Sequence, residues 1–155
     1  MPKIFAFAME IKILYNIMEY SKKYTVADEH IDVQGIMDGL YYTFYMEECR
    51  HAYIKEILGF DFVEQAENGV FMVLSEYKIK FIRSLKKDDS FDVTCSVYTD
   101  AQGLPRLHFK QSIIKNGKIM ASAVFTGTCI PATGGRPYLP EELKANFADA
   151  PSLEV

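Results

Sequence analysis

The sequence predicts an α+β domain in which one long helix lies on an antiparallel sheet. Three observations carry that expectation. Residues Leu40 to Leu58 contain neither Gly nor Pro, and Tyr42, Met46, Cys49, Tyr53 and Ile57 recur at helical spacing within them. Four runs with the alternation of strands follow. Asn116-Gly117, between the last two runs, is a strong hairpin signal, and "TDAQGLP" at 99 to 105 is a polar turn. Strands joined in succession by short turns pair antiparallel, and the one amphipathic helix must bury its stripe on them.

The elements follow in order. "SKKYTVADEHI" has the β-branched and aromatic content of a short strand that ends in acids. In "DEHIDVQGIMDGLYY", residues 28 to 42, Asp28, Glu29, Asp32 and Asp38 crowd around two glycines just where the helix begins. The helix should stop at Gly59, where a glycine C-terminal to the last turn is favoured. Its solvent face carries Glu47, Glu48, His51 and Lys55, and Phe44 on that side suggests a subunit contact. In "VFMVLSEYKIKFI", Phe71, Val73, Ser75, Tyr77, Ile79 and Phe81 are expected on one face, with Glu76, Lys78 and Lys80 on the other. "SFDVTCSVY" sets Phe91, Val93, Cys95 and Val97 against Asp92, Thr94 and Ser96. "LHFKQSII" and "KIMASAVFTGTCI" complete the sheet, which is expected to have five strands.

At 155 residues the chain has room for one domain, which needs neither disulfide nor metal to be stable. A net charge of −4 excludes a global field that draws it to nucleic acid. Cys49, Cys95 and Cys129 are odd in number and far apart, which favours reduced thiols and a cytoplasmic location. The apolar start is broken by Glu10 and Lys12, too early for a membrane span. Residues 1–19 read as an N-terminal extension, either an added element or the product of a start codon assigned upstream of Met18. Residues 20–143 form the domain and 144–155 a tail. No pair of histidines has metal-ligand spacing, and no cofactor is expected. His51 and His108 read as structural, Cys49 as a core residue, and His30 as an exposed neighbour of Asp32 or a group that tunes it.

That order of elements, with these residues, resembles the hotdog-fold acyl-CoA thioesterases of the 4-hydroxybenzoyl-CoA thioesterase type. The resemblance spans residues 20 to 143. It rests on Asp32, Gly35 and Tyr42; on Glu47 and Arg50 in the helix, closed by Gly59; on "YKIKFIRSLKKDD"; and on "GRPYLPEEL" at 135 to 143. Many relatives read Gly-His-Val-Asn-Asn after the catalytic Asp, where this chain reads Gly35-Ile36-Met37-Asp38-Gly39. Ser84 stands where a Pro often follows the Arg.

The resemblance implies a hydrolase that cleaves an acyl- or aroyl-CoA thioester to the free acid and CoA. It assigns the catalytic carboxylate to Asp32 and the oxyanion donor to the backbone amide of Gly39. It implies substrate contacts at Gly35, Tyr42, Arg83 and Lys86. The chemistry asks for little more, because a thiolate leaves readily and the first-turn N–H groups of a helix can hold an oxyanion. Without the resemblance, Asp32 reads as a turn acid and the lysines of "KIKFIRSLKK" as guards of a strand edge. The equal alternative for the lysines is a mouth for CoA phosphates, with Arg83 as its most specific member. Asp38 fits a plain N-cap. A hydratase on the same fold and a non-catalytic acyl-CoA or lipid binder are the rival readings. No membrane or nucleic-acid partner is expected. The unpaired strand edges and the pairing seen in such relatives imply a homo-oligomer, a dimer or a tetramer.

Overall fold

The computed structural model describes residues 20–155, so the expected N-terminal extension lies outside the described residues. The chain runs through β1 (Tyr20–Thr25), a 3-10 turn (Asp28–His30), α1 (Gly39–Glu56), α2 (Phe62–Glu67), β2 (Val70–Phe81), β3 (Ser90–Asp100), β4 (Leu107–Lys115), β5 (Lys118–Pro131), α3 (Glu141–Ala145) and β6 (Ser152–Leu153). The strands lie in the order β1-β3-β4-β5-β2, with neighbours antiparallel. Two-residue β6 adds a parallel pairing at Thr99 and Asp100 of β3, one strand more than the expected five. This is the hotdog arrangement, a long helix held against a curved antiparallel sheet. Among the described residues no helix is long and apolar enough to cross a membrane.

The helix forms where its spacing placed it. Tyr42, Met46, Cys49 and Tyr53 are buried, joined by Tyr45 and Ile54. Ile57 is half exposed because the helix has already ended at Glu56. Gly59 takes φ +66, and the Phe60 N–H reaches back to the Ile54 carbonyl at 3.1 Å. The stripe meets Phe91, Val93, Cys95 and Val97 from β3, as alternation predicts, together with Phe109, Ile113 and Phe125. Each such large side chain contributes about 1.5–3 kcal/mol by leaving water. The last hairpin also follows its sequence: Asn116 and Gly117 have φ +49 and +71, the two left-handed residues of a type I′ turn.

Three expectations need correction. "DEH" is not strand but the 3-10 turn after β1. The run after α1 is not all strand, since Asp61 accepts from the N–H groups of Val63 and Glu64 and so caps the short helix α2. Finally, β2 does not keep one alternation. A bulge between Leu74 and Glu76 inserts a residue against β5 and reverses which parity faces α1. Before it, Val70 and Met72 pack toward the core while Phe71 is exposed; after it, Ile79 faces inward and Tyr77 stacks on Phe125 at 5.1 Å. Leu74 and Tyr77 therefore line one cleft beside α1. Gly127, opposite the bulge, allows this approach: a Cβ there would stand 3.1 Å from the Val73 carbonyl oxygen.

Candidate active site

The acids ahead of α1 are separated by a small hairpin. Asp38 N–H donates to the His30 carbonyl (2.9 Å), Ile31 bridges Met37, and Asp32 N–H donates to the Ile36 carbonyl (2.8 Å). The tip is a turn from Asp32 to Gly35, where the Gly35 N–H reaches the Asp32 carbonyl (3.1 Å) and φ +79 requires a glycine. The Asp32 carboxylate sits on this tip, half-buried. It accepts from the Gln34 backbone N–H at 2.7 Å and from the Gln34 side-chain amide at 3.2 Å. Val33 beside it is fully exposed. From Asp32 to the base of the hairpin is about 7 Å of extended backbone.

At that base the helix begins. The Asp38 carboxylate accepts from the Leu40 N–H (2.9 Å), and the Asp38 carbonyl accepts from the Tyr41 N–H (3.0 Å). Asp38 is thus the N-cap, as its position suggested. Gly39 contributes an N–H that finds no acceptor among the described residues. Its backbone needs no positive φ, and a Cβ would meet only the Phe81 ring at an ordinary 3.7 Å. The fold itself therefore does not demand glycine at 39.

Tyr42 secures the floor. Its hydroxyl accepts from the Leu85 N–H (3.0 Å) and lies 3.5 Å from the Arg83 carbonyl, to which it donates. Burial pushes its phenol above the ordinary value. The hydroxyl is committed to the 83–85 segment. That segment also ties to the hairpin, through the Met37 N–H on the Leu85 carbonyl and a bridge between Ile36 and Lys86. Arg83 is exposed and donates one bond to the Ile119 carbonyl (2.7 Å). Lys86 is exposed beside the hairpin, while Lys87 pairs with Asp28 at 3.5 Å on the surface. Lys78 and Lys80 instead face a depression on the sheet's outer surface with Lys110. The basic run therefore divides: Lys86 and Lys87 meet the hairpin segment, and Arg83 lies two residues before its tie at Leu85 with its guanidinium on Ile119.

His30 does not share a strand face with Asp32. It stacks on Tyr41 at 3.7 Å, and its Nδ1 lies 2.9 Å from the Tyr45 hydroxyl. Cys49 is in the core, its thiol pushed up to about 12 by burial, which removes it as a nucleophile at neutral pH. His51 lies beside Glu47 (3.5 Å) and against the Phe62 ring. His108 is fully buried between Asp100 (2.9 Å) and Thr126 (2.8 Å).

Two clefts continue from the helix start along α1 and β2. One, of about 280 Å³, runs between Leu40, Phe44, Leu74 and Tyr77. The next, of about 380 Å³, is lined by Ile54, Phe62, Met72 and Phe109. Glu47 and Arg50 border both. The sequence reading treated Arg50 only as a motif residue, yet it is 3 % exposed. The signal was present, since Arg50 lies at helical spacing from both Met46 and Tyr53 of the buried stripe.

The architecture thus defines a hotdog-fold chain with an acid-bearing hairpin ahead of its long helix. Residues 26–147 match the model of the Thioesterase-like superfamily, and the chain belongs to that family. Its fold is similar to that of a 1,4-dihydroxy-2-naphthoyl-CoA thioesterase from Synechocystis, with TM-score 0.75 and 16% identity over 84% of this chain and 96% of the other. A DHNA-CoA thioesterase from Staphylococcus aureus gives TM-score 0.70 and 18% identity over 84% and 85%. A hypothetical protein of Staphylococcus aureus, solved in complex with CoA, gives TM-score 0.77 and 19% identity over 88% of both chains.

Proposed function

We propose that the protein is a cytoplasmic acyl-CoA thioesterase, hydrolysing the thioester to the free acid and CoA. The observation that carries this reading is the unpaired Gly39 N–H at the start of α1, open to solvent and without a Cβ, at the base of the hairpin that bears Asp32. A thioester carbonyl seated there accepts that N–H, which strengthens as charge builds on the oxygen. Asp32 either attacks the carbonyl carbon or takes a proton from the attacking water. In both routes the C–S bond breaks and thiolate leaves; in the first the acyl group passes to Asp32 as an anhydride, which a water then cleaves to release the acid and restore the carboxylate. Gln34 holds the carboxylate at the surface until substrate displaces its side chain. Arg83 and Lys86 are the phosphate contacts for the nucleotide half of CoA. The three buried free cysteines fit a reducing compartment.

The active unit is a dimer paired along β2. Among the described residues that strand hydrogen-bonds only to β5 and no other strand covers its second edge, with Phe71, Leu74, Tyr77 and Phe81 all exposed. Light scattering should give a dimer or a larger even assembly; a stable monomer at micromolar concentration overturns the paired unit.

Thiol release from a panel of acyl- and aroyl-CoA esters tests the activity. Turnover of at least one ester is expected, whereas saturable binding without thiol release would make the protein a carrier or sensor. On the same panel Arg83→Ala should raise KM about tenfold for CoA esters, the loss of one charge-assisted hydrogen bond. It should leave small synthetic thioesters unchanged; an equal loss on both would make Arg83 a structural brace for Ile119.

A further inference from the structure

Among the described residues Arg50 is a buried cation without a matching anion. Its guanidinium lies 4.1 Å over the Phe125 ring and donates through Nη1 to Gln111 Oε1 at 2.9 Å. No carboxylate comes within ion-pair distance of it among the described residues. Cys95 and then Glu47, one turn earlier, are close enough to favour the charged form, and Glu47 lies 3.5 Å from His51 with half its side chain in solvent. Both amide hydrogens of Gln111 are used, donated to the Met46 and Thr94 carbonyls. Burial weakens the guanidinium's hold on its proton. Five N–H groups in a fixed fork with one neutral hydrogen-bond acceptor among the described residues is a large shortfall for a side chain 3 % exposed.

The place of this shortfall decides its use. Arg50 borders both clefts, whose other walls from β2 are Met72, Val73, Leu74 and Tyr77, with Phe109 and Phe125 behind. The first cleft begins at Leu40, beside Gly39. Arg50 itself is about 16 Å farther along the helix axis, and its side chain leans back toward the helix start. A chain held at Gly39 by its thioester would therefore run between Leu40, Phe44, Leu74 and Tyr77, pass Thr43 and the largely solvated Glu47, and meet a guanidinium fork.

We propose that this groove selects acyl groups of medium length that end in a carboxylate, the free end forming a bidentate pair with Arg50. This rests on the thioesterase reading for the position of the thioester, and it adds the class of acyl group. A neutral distal oxygen would satisfy N–H donors yet leave the charge bare; a carboxylate does both. An alkyl end would seal the cation away from water with no partner.

Two non-hydrolysable thioethers of CoA test it, S-(5-carboxypentyl)-CoA and S-hexyl-CoA, with dissociation constants measured by calorimetry. The carboxylate-tipped ligand should bind about tenfold tighter to the wild-type protein, the strength of one charge-assisted pair in an apolar site. Arg50→Met should remove or reverse that ratio, and Arg50→Lys should shrink it. Should Arg50→Met fail to fold, the wild-type ratio still decides. Equal binding, or tighter binding of the hexyl ligand, overturns the proposal. Because neither ligand is cleaved, a carboxylate preference without thiol release on the ester panel would sink the thioesterase reading alone. Thiol release without that preference would sink this inference alone.

Discussion

Two turns in this molecule are built around an aspartate, and they use it in opposite ways. At the β3–β4 turn, Asp100 is buried and its carboxylate accepts four hydrogen bonds: from Gln102 N–H (3.1 Å), Leu104 N–H (3.0 Å), Arg106 Nε (2.7 Å) and His108 Nε2 (2.9 Å). A carboxylate can only accept, so His108 carries a hydrogen on Nε2, while its Nδ1 lies 2.8 Å from the Thr126 hydroxyl. His108 first, then the turn amide of Leu104 and Arg106, hold the Asp100 carboxyl well below the usual carboxylate range despite burial. At the hairpin before α1, the Asp32 carboxylate accepts two bonds among the described residues, both from Gln34, and keeps spare lone pairs. A saturated carboxylate fixes a turn. One with spare acceptor capacity, on the tip of a hairpin whose base leaves a helix N–H without an acceptor among the described residues, is available to a ligand.

If that contrast is right, the same substitution should have opposite consequences at the two turns. The largest effect expected is on turnover: Asp32→Asn should lower kcat by roughly 10²–10⁴-fold, because an amide neither attacks a carbonyl nor accepts a proton from water. Its melting temperature should hardly change, since Asn can accept the same Gln34 N–H. Retention of most of the kcat would reduce Asp32 to a turn residue.

Asp100→Asn should do the reverse. It should lower the melting temperature clearly and leave kcat per folded molecule near the wild-type value. Its pH dependence gives a second check. A depressed carboxylate binds protons more readily in the unfolded chain, so Asp100 stabilises the fold above the unfolded pKa near ~3.9. That contribution is lost as pH falls from about 4 toward the lower folded value. Acid unfolding monitored by circular dichroism should therefore be shallower below pH 4 in the variant. An unaltered acid limb would mean the four bonds are not worth what their geometry suggests.

The smallest effect sharpens the comparison from a third acid. Asp38 does cap α1, so Asp38→Asn should change stability by about 0.5 kcal/mol or less and leave kcat intact. A marked fall in kcat on the ester panel would move the catalytic carboxylate from the hairpin tip to the helix start.

Much of this was legible in order along the chain. The α1 stripe, the β3 alternation and the Asn116-Gly117 hairpin depend on local periodicity and on turn chemistry, which a single sequence carries. The acids before α1 could be singled out because their neighbours are glycines and a helix start. The Asp100 cluster could not be, since its partners His108 and Thr126 meet it only when β3, β4 and β5 are side by side. The parity of β2 was misread because a bulge leaves no fixed residue signature. It is fixed by what α1 and β5 leave room for, and Gly127 shows itself as its partner only in the folded sheet.

By itself, then, the sequence determined one helix, the strands it rests on, their turns, and an acid-rich segment ahead of the helix. These follow from interactions between residues a few positions apart, whose free energies do not wait for the rest of the chain. The tertiary structure alone decided which carboxylate is saturated and which is free, which face of β2 meets α1, and that Arg50 is sealed against Phe125 at the edge of a cleft. Each of those depends on desolvation and on partners brought from distant segments. Burial makes a missing partner costly, and no local pattern records which partner the fold will supply.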